Sequence, residues 1–169
     1  MHAGTEYTRK PNQQQIEFAH AAIAAGADMV IGAHPHWIQT VEKYQGSPAN
    51  PLCKKSSFDN PIINKDGEKY QSLDLGEGCA GKYIFYSLGN FIFDQMWSQE
   101  TREGLALKIS LSKPAGADFG LQGQKTATSL DSVELLPVII EDYSSPRPAD
   151  ETESKNILKK IGLENNFLN

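Results

Sequence analysis

An α/β fold is what this sequence predicts, on three observations. A helical segment with punctuated ends, residues 11–25, runs directly into the short apolar strand Met29-Val30-Ile31. The run Tyr83-Ile84-Phe85-Tyr86-Ser87-Leu88 has the near-continuous apolar character of a strand buried on both faces. Residues 104–112 alternate cleanly through Leu105, Leu107, Ile109 and Leu111, as a strand with one buried face does.

The elements follow in order. Asn12 after Pro11 is a suitable N-cap, Ile16, Ala19, His20 and Ile23 form one stripe, and Gly26 is the stop. Residues 38–44 alternate apolar and polar and predict a second strand. Residues 45–82 turn polar, with Pro48, Pro51, Pro61 and several glycines, and read as a long insertion carrying at most a hairpin. Residues 131–140 predict another strand, in which Pro137 signals an edge or a bulge. A short helix over 154–161 closes the chain, and residues 164–169 are expected to fray.

Composition bounds the function. With 169 residues, 39% of them hydrophobic and 22% charged, the chain has enough apolar material for a core and is not a disordered tail. A net charge of -5, with Lys54-Lys55 and Lys159-Lys160 as isolated pairs, argues against a nucleic-acid partner. The longest mostly apolar window, residues 19–33, is interrupted by His20, Gly26 and Asp28, so no membrane span is expected. The first residues lack the basic and apolar regions of a signal peptide. Cys53 and Cys79 bracket a polar segment, and either a disulfide or two reduced thiols fits them. Neither has a CxxC partner, so zinc is not expected there.

The residues that carry chemistry are histidines. In Gly32-Ala33-His34-Pro35-His36, Pro35 biases His34 towards extended geometry, which would put two imidazoles on one side about 6 to 7 Å apart along the backbone. His2 precedes the helix, and His34 and His36 follow the next strand. A β-loop-α-β unit with parallel strands would bring all three to the crevice outside the strand ends, where open α/β sheets build their sites. Three converging histidines are a metal constellation.

Glu6 and Tyr7, on the loop after His2, could contact substrate or orient His2, or could simply pack where the helix begins. Asn90, in Gly89-Asn90-Phe91, could line the same crevice or be a turn residue. His20 reads as a packing or surface histidine, Trp37 and Trp97 as packing anchors or rim aromatics, and Asp94 and Glu100 as solvated charges.

His2-Ala3-Gly4-Thr5-Glu6-Tyr7 with Pro11 and Gln14, then Gly26-Ala27-Asp28, Gly32-Ala33-His34-Pro35-His36 with Gln39, and Tyr86-Ser87-Leu88-Gly89-Asn90-Phe91 with Phe93-Asp94, resembles the C-terminal half of the CapA-type family of poly-γ-glutamate capsule synthesis. That family is similar to the calcineurin-like metallophosphoesterases. The likeness runs from His2 to about Leu111. It implies a metallophosphoesterase-like layered sheet, with residues 1–150 as the C-terminal part of such a domain, lacking its N-terminal strands, and 151–169 as a terminal helix and tail.

The resemblance further implies a two-metal centre of divalent ions, with His2 and His34 on one ion and His36 on the other. Glu6, Tyr7 and Asn90 become the substrate-side residues. The tryptophan common after the first histidine in the family is Ala3 here, and no ligand is lost by that change. The aspartate, bridging-carboxylate and asparagine-histidine motifs implied for the N-terminal half are not in these residues, so no catalytic residue is assigned and this chain alone is expected to be inactive. The leading expectation is a metal-dependent hydrolase of capsule or cell-surface polymer metabolism, acting on an anionic polymer or phosphoester beside other capsule synthesis proteins. A non-catalytic polymer-binding or export component, or an inactive truncated fragment, are the alternatives. The full-length parent is expected outside the cell or at its surface.

Overall fold

The structure, a computed structural model, describes residues 1–44, 62–63, 69–72, 82–112 and 129–163. The elements are α1 (Gln13–Ala24), β1 (Met29–Ile31), β2 (Val41–Tyr44), β3 (Ile62–Ile63), β4 (Lys69–Ser72), β5 (Lys82–Phe85), α2 (Gln99–Arg102), β6 (Glu103–Ser112), β7 (Ser129–Glu141), β8 (Ser145–Pro148) and α3 (Glu151–Lys160). The mixed α/β class is as the sequence predicts.

Helix α1 begins with a reciprocal cap: Asn12 accepts from the Gln15 backbone N–H, and the Gln15 side chain accepts from the Asn12 N–H. Strand β5 is the centre of a three-stranded sheet, parallel to β1 and antiparallel to β2. Its side chains alternate between two cores. Ile84 and Tyr86 pack with Ala19 and Ile23 of α1 and Val30 of β1. Tyr83 and Phe85 face a second core with Leu105, Val133, Leu135 and Ile139 of β6 and β7 and Ile157 and Leu158 of α3. A strand buried on both faces needs the unbroken apolar run seen here.

Residues 1–3 extend the first sheet past β1. Ala33 N–H donates to the Met1 carbonyl (2.8 Å), Ala3 N–H to the Ala33 carbonyl (3.2 Å), and His2 and Ala33 form a parallel bridge. With α1 between them, this is the parallel crossover expected from the sequence.

In the second sheet β7 pairs with β6 along its length, with β4 at residues 134–135, and with β8 at 138–141. Pro137 falls in the gap between β4 and β8, and its carbonyl accepts from Ala149 N–H (3.0 Å). The proline therefore sits where its missing N–H costs no ladder bond. The register shift in the β6–β7 pair lies elsewhere, at Ser110/Leu111. Strands β3 and β4 form the antiparallel hairpin allowed for in the insertion. Cys53, Cys79 and the expected terminal fraying lie outside the described residues.

Three expectations need correction. Strand β2 starts at Val41, because Ile38 makes only an isolated bridge to Leu88. Helix α3 starts earlier than residue 154, with Asp150 as its N-cap in a second capping box with Glu153. Glu100 is not a free solvated charge: it pairs with Arg9 at 2.8 Å, and its own backbone N–H and that guanidinium hold its carboxyl below the ordinary glutamate range. Among the described residues no helix is long and apolar enough to cross a membrane.

Candidate functional site

The site forms where β1 and β5 end. Gly32 follows β1, and any side chain there would run into the Tyr86 carbonyl. The backbone of the histidine loop is therefore pressed against the end of β5, with Gly32 N–H donating to the Phe85 carbonyl at 2.7 Å. Only glycine permits that approach.

His34 and His36 then leave the sheet in unusual backbone. Their φ angles are +106° and +61°, and Tyr7, across the site, has +59°. The extended geometry expected for His34 is not adopted. The two imidazoles still come near each other, with ring centroids 6.3 Å apart, because both residues turn rather than because the chain runs straight. Non-glycine residues at positive φ carry strain on the order of 1 to 3 kcal/mol each, and such residues gather where function over-determines the backbone. His2, brought in by its bridge to Ala33, places its ring 4.8 Å from that of His34.

Three side chains fix His36. Its Nδ1 lies 2.9 Å from Asn90 Oδ1, Tyr7 stacks on its ring at 5.7 Å, and Phe93 lies against it at 4.8 Å. Tyr7 is itself fixed by its N–H to the Pro35 carbonyl (2.8 Å), by Gln95 Nε2 donating to its hydroxyl (2.9 Å), and by the edge of Trp97 at 4.9 Å.

The structure thus brings together His2, His34, His36, Tyr7 and Asn90. Asn90 is buried with both amide atoms bonded inside the protein, so it supports His36 from beneath rather than lining the open crevice. Glu6 is exposed on the loop after His2. His20 stands apart: its Nε2 is 2.9 Å from Glu42 Oε1 and its ring stacks on Tyr44. Glu42 also accepts from the Tyr86 hydroxyl, and burial together with that carboxylate raises the phenol above its ordinary range.

The supporting role of two glutamines is not readable from the sequence. Gln15 and Gln39 are both fully buried and joined by Gln15 Nε2 donating to Gln39 Oε1 (2.9 Å). Gln39 Nε2 in turn donates to the carbonyls of Thr8 and Lys10, so the loop carrying Glu6 and Tyr7 is tied to α1 and to the segment after His36. The available signal was a glutamine at the third helical position of a capping box, which predicts the cap but not the burial.

As metal donors, the histidines make a partial set. Among the described residues no three His, Cys, Asp or Glu side chains gather so as to hold one ion. His2 and His34 are the nearer pair, with ring centroids 4.8 Å apart, and His36 lies 6.3 Å from His34.

Comparison with known proteins follows from this arrangement. The family model described as bacterial capsule synthesis protein PGA_cap matches residues 1–95, which contain all three site histidines, Tyr7 and Asn90. The chain belongs to the PGA_cap family. It is also similar to the PGA biosynthesis protein CapA of Bacillus subtilis (strain 168), at 28% identity over 166 residues, covering 98% of this chain and 31% of that protein. A second similarity is to the capsule biosynthesis protein CapA of Bacillus anthracis, 28% identical over 155 residues, 92% of this chain and 25% of the relative. This PGA_cap chain therefore spans under a third of these relatives. Its family match ends at residue 95, just past Phe93, whose ring lies against His36, while β6 to α3 contribute to the second core.

Proposed function

We propose that this chain is the C-terminal part of a metal-dependent, hydrolase-like protein of capsule or cell-surface polymer metabolism. The observation that carries the reading is the meeting of His2, His34 and His36 at one sheet edge, two of them in strained backbone. Membership of the capsule synthesis family and likeness to two CapA proteins support the biological setting. Poly-γ-glutamate, or another anionic polymer or phosphoester, is the substrate class on this reading, and the cell surface its place.

His2 and His34 would hold one divalent ion and His36 a second. Such ions, when bound, polarise a phosphoryl or acyl oxygen and make bound water acidic. The chain's own residues hold and orient the ligands: Tyr7 and Phe93 flank the His36 ring, and Gly32 sets the loop against β5. Glu6 and Tyr7 stand on the substrate side. The remaining ligands and the general acid would come from the N-terminal part of the parent, and the chain alone is inactive on this reading.

A second reading, a non-catalytic polymer-binding or export component, is favoured by one feature. Phe91, Ile92, Phe93 and Trp97 are all exposed, and Phe93 and Trp97 touch His36 and Tyr7. Metal analysis of the short chain and the full-length parent, with hydrolysis of a generic phosphodiester, separates the two. Bound transition metal lost in His34→Ala and His36→Ala, with hydrolysis by the parent, supports the first. Metal content unaffected by either substitution sinks it, and polymer binding retained after chelation supports the second.

A further inference from the structure

We propose that Asn90 is a positioning residue that sets the proton tautomer of His36 and so selects Nε2 as the nitrogen offered to a metal ion. The metal half of this statement rests on the proposed ligand role of His36; the tautomer does not.

The hydrogen-bonding roles of the groups around His36 admit no choice. The Thr101 backbone carbonyl can only accept, so the Asn90 atom 2.9 Å from it is the amide nitrogen, Nδ2. Asn90 Oδ1 is then the atom that faces His36 Nδ1 at 2.9 Å. An amide oxygen can only accept, so Nδ1 carries the proton. In the neutral ring the lone pair is left on Nε2. The amide orientation, usually ambiguous, is here decided by its second partner.

The rest of the local structure keeps this chain of bonds in place. Asn90 is 7% exposed, so water does not compete for its amide. Gly104 of β6 lies directly over it, where any side chain would strike the Asn90 carbonyl. The Thr101 carbonyl belongs to the one-turn helix α2, whose N-cap Ser98 accepts from Thr101 N–H (3.2 Å) while Thr101 Oγ1 donates to the Ser98 carbonyl (3.0 Å). Tyr7 and Phe93 restrain the imidazole ring itself. The order of influence is Ser98, Thr101, Asn90, His36, and α2 acts as the mount for one carbonyl. A hydrogen-bonded partner on the non-ligating nitrogen is what fixes orientation and basicity at metal-binding histidines generally.

The test is long-range proton–nitrogen NMR of the histidine rings in the full chain, stripped of metal and in mildly alkaline buffer. Wild-type His36 is expected as the Nδ1–H tautomer. Asn90→Leu, which offers Nδ1 no acceptor, should move it towards Nε2–H. With zinc as the probe, the wild-type His36 nitrogen whose signal shifts on binding should be Nε2 and not Nδ1. A wild-type Nε2–H tautomer, or an unchanged tautomer in folded Asn90→Leu, overturns the proposal. Should Asn90→Leu fail to fold, the wild-type spectrum decides it. His36 ring nitrogens untouched by zinc would overturn the ligand reading by itself, while the spectrum of the metal-free chain judges the tautomer separately.

Discussion

Gln15 and Gln39, 24 positions apart, are both completely buried and joined side chain to side chain at 2.9 Å. Each of the four amide oxygen and nitrogen atoms has a hydrogen-bond partner. Gln15 Oε1 takes the Asn12 N–H, and Gln39 Nε2 reaches the Thr8 and Lys10 carbonyls and the Thr8 hydroxyl. This pair is the clamp that holds the loop between His2 and α1 against the segment following His36.

Gln39→Leu removes that clamp and strands the Gln15 amide and two carbonyls. A buried polar group left without its partner costs about 1 to 3 kcal/mol, so a loss of roughly 2 to 3 kcal/mol in urea unfolding is expected. Because the freed loop carries Tyr7, which stacks on His36, zinc affinity should fall in the same variant. Full stability in Gln39→Leu would show that the loop is held by other means.

His34 at φ +106° is a position where glycine is the better residue for folding and histidine the better one for the proposed ligand role. His34→Gly should therefore raise stability, or leave it unchanged within about 1 kcal/mol, since relief of backbone strain opposes the greater entropy of the unfolded glycine chain. Metal binding should drop in the same variant. Thermal melts and zinc titration of His34→Gly against His34→Ala check the sign: the alanine variant keeps the strain and should be the less stable of the two.

How far the sequence reached is visible in these same residues. Helix α1, β1, β6 and β7 were legible because periodicity, a cap and a proline are local signals, and the meeting of His2 with His34 followed from the parallel crossover rule. Asn90 and Gln39 could be named from the family resemblance, but not the atoms they touch. Their partners, His36 and Gln15, lie 54 and 24 positions away, and hydrogen bonds of that range leave no periodic trace. The positive φ at His34 was missed for a related reason. A residue before proline is biased to extended backbone, and here that local preference was overridden by the packing of Gly32 against β5.

Gly32→Ala tests that packing. The added methyl would collide with the Tyr86 carbonyl, a backbone atom that cannot swing aside, so β1 and β5 must part or the histidine loop must move. Overpacking at such a contact costs about 1 to 3 kcal/mol or more. The expected result is a marked drop in unfolding free energy together with altered ring chemical shifts for His34 and His36. Unchanged histidine shifts in a folded Gly32→Ala variant would mean that the loop does not take its shape from β5.

The attachment of α3 gives a pH dependence with a defined sign. Arg147 Nη1 and Nη2 donate to the two Glu153 oxygens at 2.7 and 2.8 Å, and the Asp150 N–H donates to one of them at 2.8 Å. The Arg147 hydrogen bonds first, and that backbone donor second, lower the Glu153 carboxyl from its ordinary 4.5 to about 2. As pH falls, the unfolded chain takes up the proton near 4.5 while the folded chain resists until about 2. The stabilisation is therefore complete above 4.5, declines between 4.5 and 2, and is gone below 2. Glu153→Gln keeps the side-chain oxygen of the capping box but not the charge. Urea unfolding of the two proteins should show wild type more stable at neutral pH, with the gap closing through that window. A gap that stays constant across the window would show that the Arg147 pair contributes nothing to holding the helix.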